Sequence, residues 1–211
     1  MRHAARLLTV CVASSAALGA AQAPASMDLV DKVVAVAANH VIMLSDARAF
    51  LELRLVDTRG AADPIPTILT RLIERQLVLA EIPANLIAEP SRVEVDQRTA
   101  VVAERLGGDD VLASLLPTIG LTRDDLGQVL REDLRVERYL ARRFPGARQP
   151  TEEELEVWMQ EHPDAQSASP TASLEAARDE ARRELTKALR QASIDAWVET
   201  LVDRGDAYRV P

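Results

Sequence analysis

Cysteine is almost missing from this sequence: the single one, Cys11, falls within the first 23 residues. A disulfide framework is therefore excluded, and so is thiol chemistry in the rest of the chain. Aromatic residues are few, two each of Trp, Tyr and Phe. A core must then be built from Leu, Val, Ile and Ala, which spread more readily over helices than over one large sheet. Lysine is confined to Lys32 and Lys187, so nearly all positive charge is arginine, and the formal net charge is −8. An acidic chain is a poor partner for nucleic acid, whose binding rests on cations that neutralise phosphates. Histidine is equally scarce. His40 in a turn and His162 at a helix end have no partner at metal-ligand spacing on one helix face, and both read as surface residues. The sequence holds no dinucleotide-binding glycine fingerprint, no phosphate loop and no serine nucleophile elbow. Neither a cofactor nor a metal nor a catalytic residue is expected, and the chain does not read as an enzyme.

What is present begins with an export signal. Met1–Arg6 is short and basic, Leu7 to Ala21 is apolar and small, and Ala21-Gln22-Ala23 is a small-x-small cleavage site. The apolar run is shorter than the roughly 18 residues a spanning helix needs. The expectation is a signal peptide over 1–23 and periplasmic, soluble delivery of the remainder. Loss of Arg2 and Arg6 takes the charge from −8 to −10.

Asp31–Asp46, DKVVAVAANHVIMLSD, reads as strand, tight turn, strand and helix cap. Asn39 tolerates the positive φ that a tight hairpin wants. Two short strands do not stand alone in water, so this hairpin needs a third strand or a helical cover. Everything that follows is helical by pattern until Gly205. A first helix is expected from an N-cap at Ser45 to about Asp57. A loop over Thr58–Pro66 precedes a helix from about Pro66 to Ala80, and Pro90 suits the first position of a helix ending at Leu106. Gly107-Gly108 stops that helix, and a short one spans about Asp109–Leu116. Thr122 and Asp125 form a capping box for a helix running to Phe144, and Thr151 with Glu154 form a second box before Leu155, Trp158 and Met159. Asp164–Ala172 is loop-like in composition. The last helix, about Ser173–Arg204, carries a stripe of Ala177, Ala181, Leu185, Leu189 and Ala192, drifting into Ile194, Val198 and Leu201. Ala207–Val210 reads as a terminal strand. The fold class is mainly α, with a small antiparallel sheet.

Three features could carry function. Arg131, Arg135, Arg138 and Arg142 share one face of a helix and read as a solvated stripe. Asp133 and Glu137 lie one turn apart inside the apolar arc of the same helix. Such carboxylates can act as an acid–base pair, but arginines from neighbouring helices are the expected partners. Trp158 and Met159 read as packing residues and are weak candidates for peptide contact.

Five segments in order resemble SurA-type periplasmic chaperones. DKVVAVAANHVIMLSDARAFLELRL resembles that family's opening hairpin and first helix. ILTRLIERQLVLAEI is similar to its second helix, LREDLRVERYLARRF to its long helix, and TEEELEVWMQEHPDA to the acidic helix that leads into a parvulin domain. IDAWVETLVDRGDAYRV resembles its C-terminal helix and closing strand. The resemblance covers 31–163 and about 174–210. It implies one chaperone domain over 24–211, made of an N-terminal part (28–162), a linker (163–172) and a C-terminal helix and strand (173–210). It also implies that the last strand returns to the first hairpin. The family's prolyl isomerase would sit where this chain has the ten residues 163–172, too few for a domain of at least ~50 residues. The implied activity is ATP-independent holding of unfolded outer-membrane proteins, without isomerase activity and without nucleic acid or stable membrane insertion. The competing reading is an exported helical adaptor, including a homodimer formed by domain swapping.

Overall fold

β1 (Val33–Ala37) turns back through Ala38 and Asn39 into β2 (His40–Met43). The computed structural model describes residues 31–83, 86–146, 148–162 and 174–210. The export signal expected over 1–23 and the loop over 164–172 lie outside the described residues. Ala38 and Asn39 have φ of 48° and 64°, as a two-residue type I′ hairpin turn requires. His40 is therefore the first residue of β2 and not part of the turn. Leu44 N–H donates to Lys32 O at 2.8 Å and closes the base of the hairpin.

Leu44 opens α1 (Leu44–Glu52), which differs from expectation at both ends. Ser45 is not the N-cap. Met43 holds that position, and Asp46 accepts from its N–H at 2.8 Å. The Ser45 hydroxyl instead donates to Asp31, which draws the Asp31 carboxyl below its ordinary range. The helix stops at Leu53, not Asp57, because Arg54 turns to a left-handed φ of 51°.

α2 (Pro64–Ala80) starts two residues early, since Asp63 caps it by accepting from Ile65 N–H. α3 (Arg92–Leu106) starts after Pro90, not on it. Ser91 is its N-cap, with Glu94 completing a capping box that the proline obscured. Gly107 and Gly108 have φ of 110° and 126°, values open to glycine and strained for other residues, and they turn α3 into α4 (Asp109–Thr118). α4 runs through Pro117 to its last turn. The expected boxes at Thr122/Asp125 and Thr151/Glu154 open α5 (Arg123–Arg143) and α6 (Glu152–Glu161). α7 (Leu174–Asp203) ends at Gly205, and β3 (Ala207–Arg209) follows.

The sheet order is β2-β1-β3, all antiparallel. β3 docks on the free edge of β1, with Ala37, Val36 and Ala35 opposite Ala207, Tyr208 and Arg209. Ala38 N–H to Asp206 O (2.8 Å) and Val210 N–H to Val34 O (3.0 Å) extend the ladder at both ends. The chain is thus mainly helical with one small three-stranded sheet, as its sequence leads one to expect.

Two apolar clusters form the interior. One joins the sheet, α1 and α2 to Tyr139 of α5 and Leu201 of α7; Ala35, Ala37, Ile42 and Ile68 lie in it fully or almost fully buried. The other packs Val95, Val102, Leu112, Leu116, Leu126 and Leu130 from α3, α4 and α5 against Leu53. α6 packs on the first half of α7 through Leu155, Ala181 and Leu185, and Glu152 accepts from both Arg178 and Arg182 at 2.7 and 2.8 Å. Tyr139, Phe144 and Trp197 form an aromatic group that ties α5 to α7, with the Arg143 guanidinium 4.6 Å above the Trp197 ring. Ala192, expected in the buried stripe, is exposed, because the buried face of α7 has passed to Ile194 by then. Among the described residues, no helix is long and apolar enough to cross a membrane.

Candidate functional site

α2, the C-terminal half of α5 and the C-terminal half of α7 enclose an open cleft of about 1030 Å³. Its floor is aliphatic: Val78 from α2, Val136 and Leu140 from α5, and Val198 and Val202 from α7. Val202 is 41% exposed, and Val136, Leu140 and Val198 are half-buried, so apolar surface remains available to a partner. The rim is charged and of both signs, with Arg71, Glu74, Asp195 and Glu199. α7 meets α2 along this stretch, and its Trp197 packs on Tyr139 and Phe144 at the C-terminal end of α5.

Arg75, on the lining of the cleft, leads into an ion-pair network that lines a neighbouring cavity of about 310 Å³. Arg75, with a side chain only 11% exposed, donates from Nε to Asp133 Oδ1 at 2.6 Å. Its Nη2 donates to Glu132 Oε2 and to Val129 O, each at 3.0 Å. Burial raises the Asp133 carboxyl above its ordinary value, and the Arg75 charge opposes this without cancelling it. Arg98 of α3 donates to Glu137 at 2.6 Å. The two acids that interrupt the apolar arc of α5 are therefore each paired with an arginine from a neighbouring helix. Their chemistry is to hold α2, α3 and α5 in register beside the cleft.

The arginine stripe of α5 is only partly a solvated face. Arg138 donates to Ala88 O at 2.7 Å and to the Glu94 carboxylate, and Arg135 lies 3.7 Å from Glu89. Both pin the segment before α3 to α5. Periodicity places these arginines opposite the apolar arc but cannot reveal that a loop returns to meet them.

Glu94 and Glu154 both accept from a capping residue and an arginine. The Ser91 hydroxyl and N–H, with Arg138, hold Glu94 down to about 2. Arg148 and the Thr151 N–H hold Glu154 down to about 2. A carboxylate with a lowered folded pKa contributes stability above its unfolded value, here 4.5, and loses it as pH falls through the folded value. Wild type should therefore lose stability relative to the Glu94→Gln/Glu154→Gln double variant between pH about 4.5 and about 2. Urea denaturation followed by circular dichroism measures this; a difference that does not change with pH over that window would refute the assignment.

Trp158 and Met159 are both half-buried on α6. Trp158 stacks on His162 with centroids 3.8 Å apart, and its carbonyl lies 3.0 Å from His162 Nδ1. A separate hollow of about 350 Å³ beside Trp158 is lined by Val157, Leu185 and Leu189 with three glutamates. Neither residue lines the larger cleft. His40 is exposed at the start of β2. Among the described residues, no group of three or more His, Cys, Asp or Glu side chains could hold a metal ion. The cleft residues Val78, Val198 and Val202 were missed as a site because each looks like one more core aliphatic. The only sequence signal was an apolar face of α7 that continues beyond the buried stripe. No family model matches the chain, and no curated protein matches it.

Proposed function

We propose that this chain is an exported, ATP-independent holdase that binds unfolded polypeptides reversibly and makes or breaks no covalent bond. The observation that carries the reading is the cleft between α2, α5 and α7, which is open and apolar-floored, with charges of both signs on its rim. Such a surface recognises extended apolar segments with little sequence preference. The net charge, −8 for the whole chain and −10 once the expected export signal is removed, keeps a loaded complex dispersed. Outer-membrane proteins are the client class that the SurA-type resemblance implies, and the export signal expected from the sequence supports an encounter in the periplasm.

Light scattering of a urea-unfolded outer-membrane protein diluted into buffer tests the reading. The full chain should suppress aggregation at stoichiometric amounts. Val202→Asp, a change at an exposed position with an expected stability effect within about 0.5 kcal/mol, should lose most of that suppression. Full suppression by the variant, or none by the unaltered chain, would end the proposal.

A second reading, a helical adaptor with a fixed partner or a second copy, is favoured by the outer face of the sheet. Val41, Val36 and Tyr208 stand in one cross-strand row, with Val41 and Tyr208 47% and 62% exposed. A fixed stoichiometric complex together with no binding of unfolded chains would select it.

A further inference from the structure

Six arginines line the two cavities at the end of α1, and four have a carboxylate. Arg75 meets Asp133 and Glu132, Arg98 meets Glu137, Arg71 meets Glu74, and Arg59 meets Asp57. Arg54 and Arg105 are the exceptions: among the described residues, no carboxylate lies within 4.0 Å of either. Each guanidinium instead donates to the other residue's main-chain carbonyl, Arg105 to Arg54 O at 2.7 Å and Arg54 to Arg105 O at 3.4 Å. Two cations are thus tied to each other's main chain at one edge of the same cavity. Arg54 keeps them there from a left-handed backbone, φ 51°, that costs a non-glycine residue energy.

Aliphatic and charged side chains share the surroundings of this pair. Arg105, Leu55 and Val56 line two adjoining cavities: one of about 310 Å³ sets Phe50, Val102 and Leu130 beside the ion-paired Arg75, Asp133, Arg98 and Glu137, and one of about 840 Å³ sets Leu51 beside Arg54 and the Asp57–Arg59 pair. A concave hollow that sets aliphatic side chains beside convergent charged groups suits a small amphiphile. Guanidiniums match carboxylates in geometry and in charge.

We propose that Arg54 and Arg105 bind a carboxylate that carries an apolar tail, with the tail lying over Leu55, Val56 and Phe50. The chemistry has two sources, a free fatty acid or the C-terminal end of a polypeptide with an apolar last residue. This site does not depend on the holdase reading, since it uses none of the α7 residues of the cleft.

Isothermal titration calorimetry on the full chain tests it, with four probes: octanoate, octanamide, a pentapeptide ending in leucine as its free acid, and the same peptide as its amide. At least one acid should bind at least tenfold more tightly than its amide. Octanoate alone points to the fatty-acid source and the peptide acid alone to the chain-end source. Arg54→Gln and Arg105→Gln should each weaken the acid at least tenfold, while Arg92→Gln, at an exposed position elsewhere, should not. Should the variants misfold, the acid–amide comparison on the unaltered chain decides by itself. Equal affinity of acid and amide, no binding of either acid at millimolar concentration, or unchanged acid binding by folded Arg54→Gln and Arg105→Gln would overturn the proposal and leave the pair as mutual helix-end caps.

Discussion

Replacing Arg75 by methionine should destabilise the protein by about 2–4 kcal/mol at pH 7. Removing one partner of a buried ion pair leaves the other charge uncompensated, which costs about 3–5 kcal/mol when burial is complete. Here the partners retain some water contact, at 28% exposure for Asp133 and 29% for Glu132, so the expected cost falls about 1 kcal/mol below that range. The loss also removes a donor to Val129 O and a cation 5.9 Å above the Phe50 ring. A melting temperature lower by about 5–15 °C follows for a chain of this size.

The pH dependence of that loss identifies its cause. Burial raises the folded pKa of Asp133, so the folded state holds its proton more tightly than the unfolded state does. Stability from this group is present below the unfolded value of 3.8 and is lost as pH rises through the raised folded value. Without Arg75 the carboxyl rises further. The deficit of Arg75→Met relative to wild type should therefore grow from pH 4 to pH 7. Arg75→Met combined with Asp133→Leu should recover much of the stability, because a well-packed apolar pair of similar volume often replaces a buried ion pair without loss. Urea denaturation of the four proteins, wild type included, closes a double-mutant cycle. Coupling near zero between the two positions would refute the network.

Truncation after Gly205 should cost about 3–5 kcal/mol, although it removes only six residues. β3 supplies the ladder to β1 and the two flanking bonds at Ala38–Asp206 and Val34–Val210. Each hydrogen bond is worth about 1 kcal/mol net, and Ala207 packs against the first cluster. What remains would be a two-stranded hairpin with its central strand exposed at an edge, a unit of marginal stability. Arg209 also loses its bond to Thr70 on α2, at 2.7 Å. The single change Tyr208→Ser, at an exposed position, should cost under about 1 kcal/mol and serves as the control. A truncated chain as stable as the full one would show that α7 alone covers the hairpin.

The hairpin was legible because β-branched residues flank a turn-forming Asn39, and Gly107-Gly108 marked a helix stop because no other residue accepts both φ values cheaply. Two of the capping boxes were legible because an N-cap and its N3 carboxylate stand at a fixed spacing. The box at Ser91 was passed over since Pro90 offered a competing start one residue earlier. Ser45 misled for a comparable reason: its hydroxyl found Asp31, fourteen residues away, in place of the helix N–H groups. At the candidate site the acids Asp133 and Glu137 stood out in sequence as misplaced charges, and arginine partners were expected, but nothing in the spacing named Arg75 or Arg98. Trp158 and Met159 stood out for their residue type, yet the cleft lies along another part of α7.

The sequence by itself determined the elements: periodicity, caps and turn residues act over a few positions and need no distant partner. It determined too that the interior is aliphatic and cysteine-free. The tertiary structure decided which surfaces meet and which stay open. The pairing of Arg75 with Asp133 spans 58 positions, and the reciprocal contact of Arg54 with Arg105 spans 51. The cleft is lined by α2, α5 and α7 together, a meeting of segments far apart in sequence that only packing of the whole chain sets.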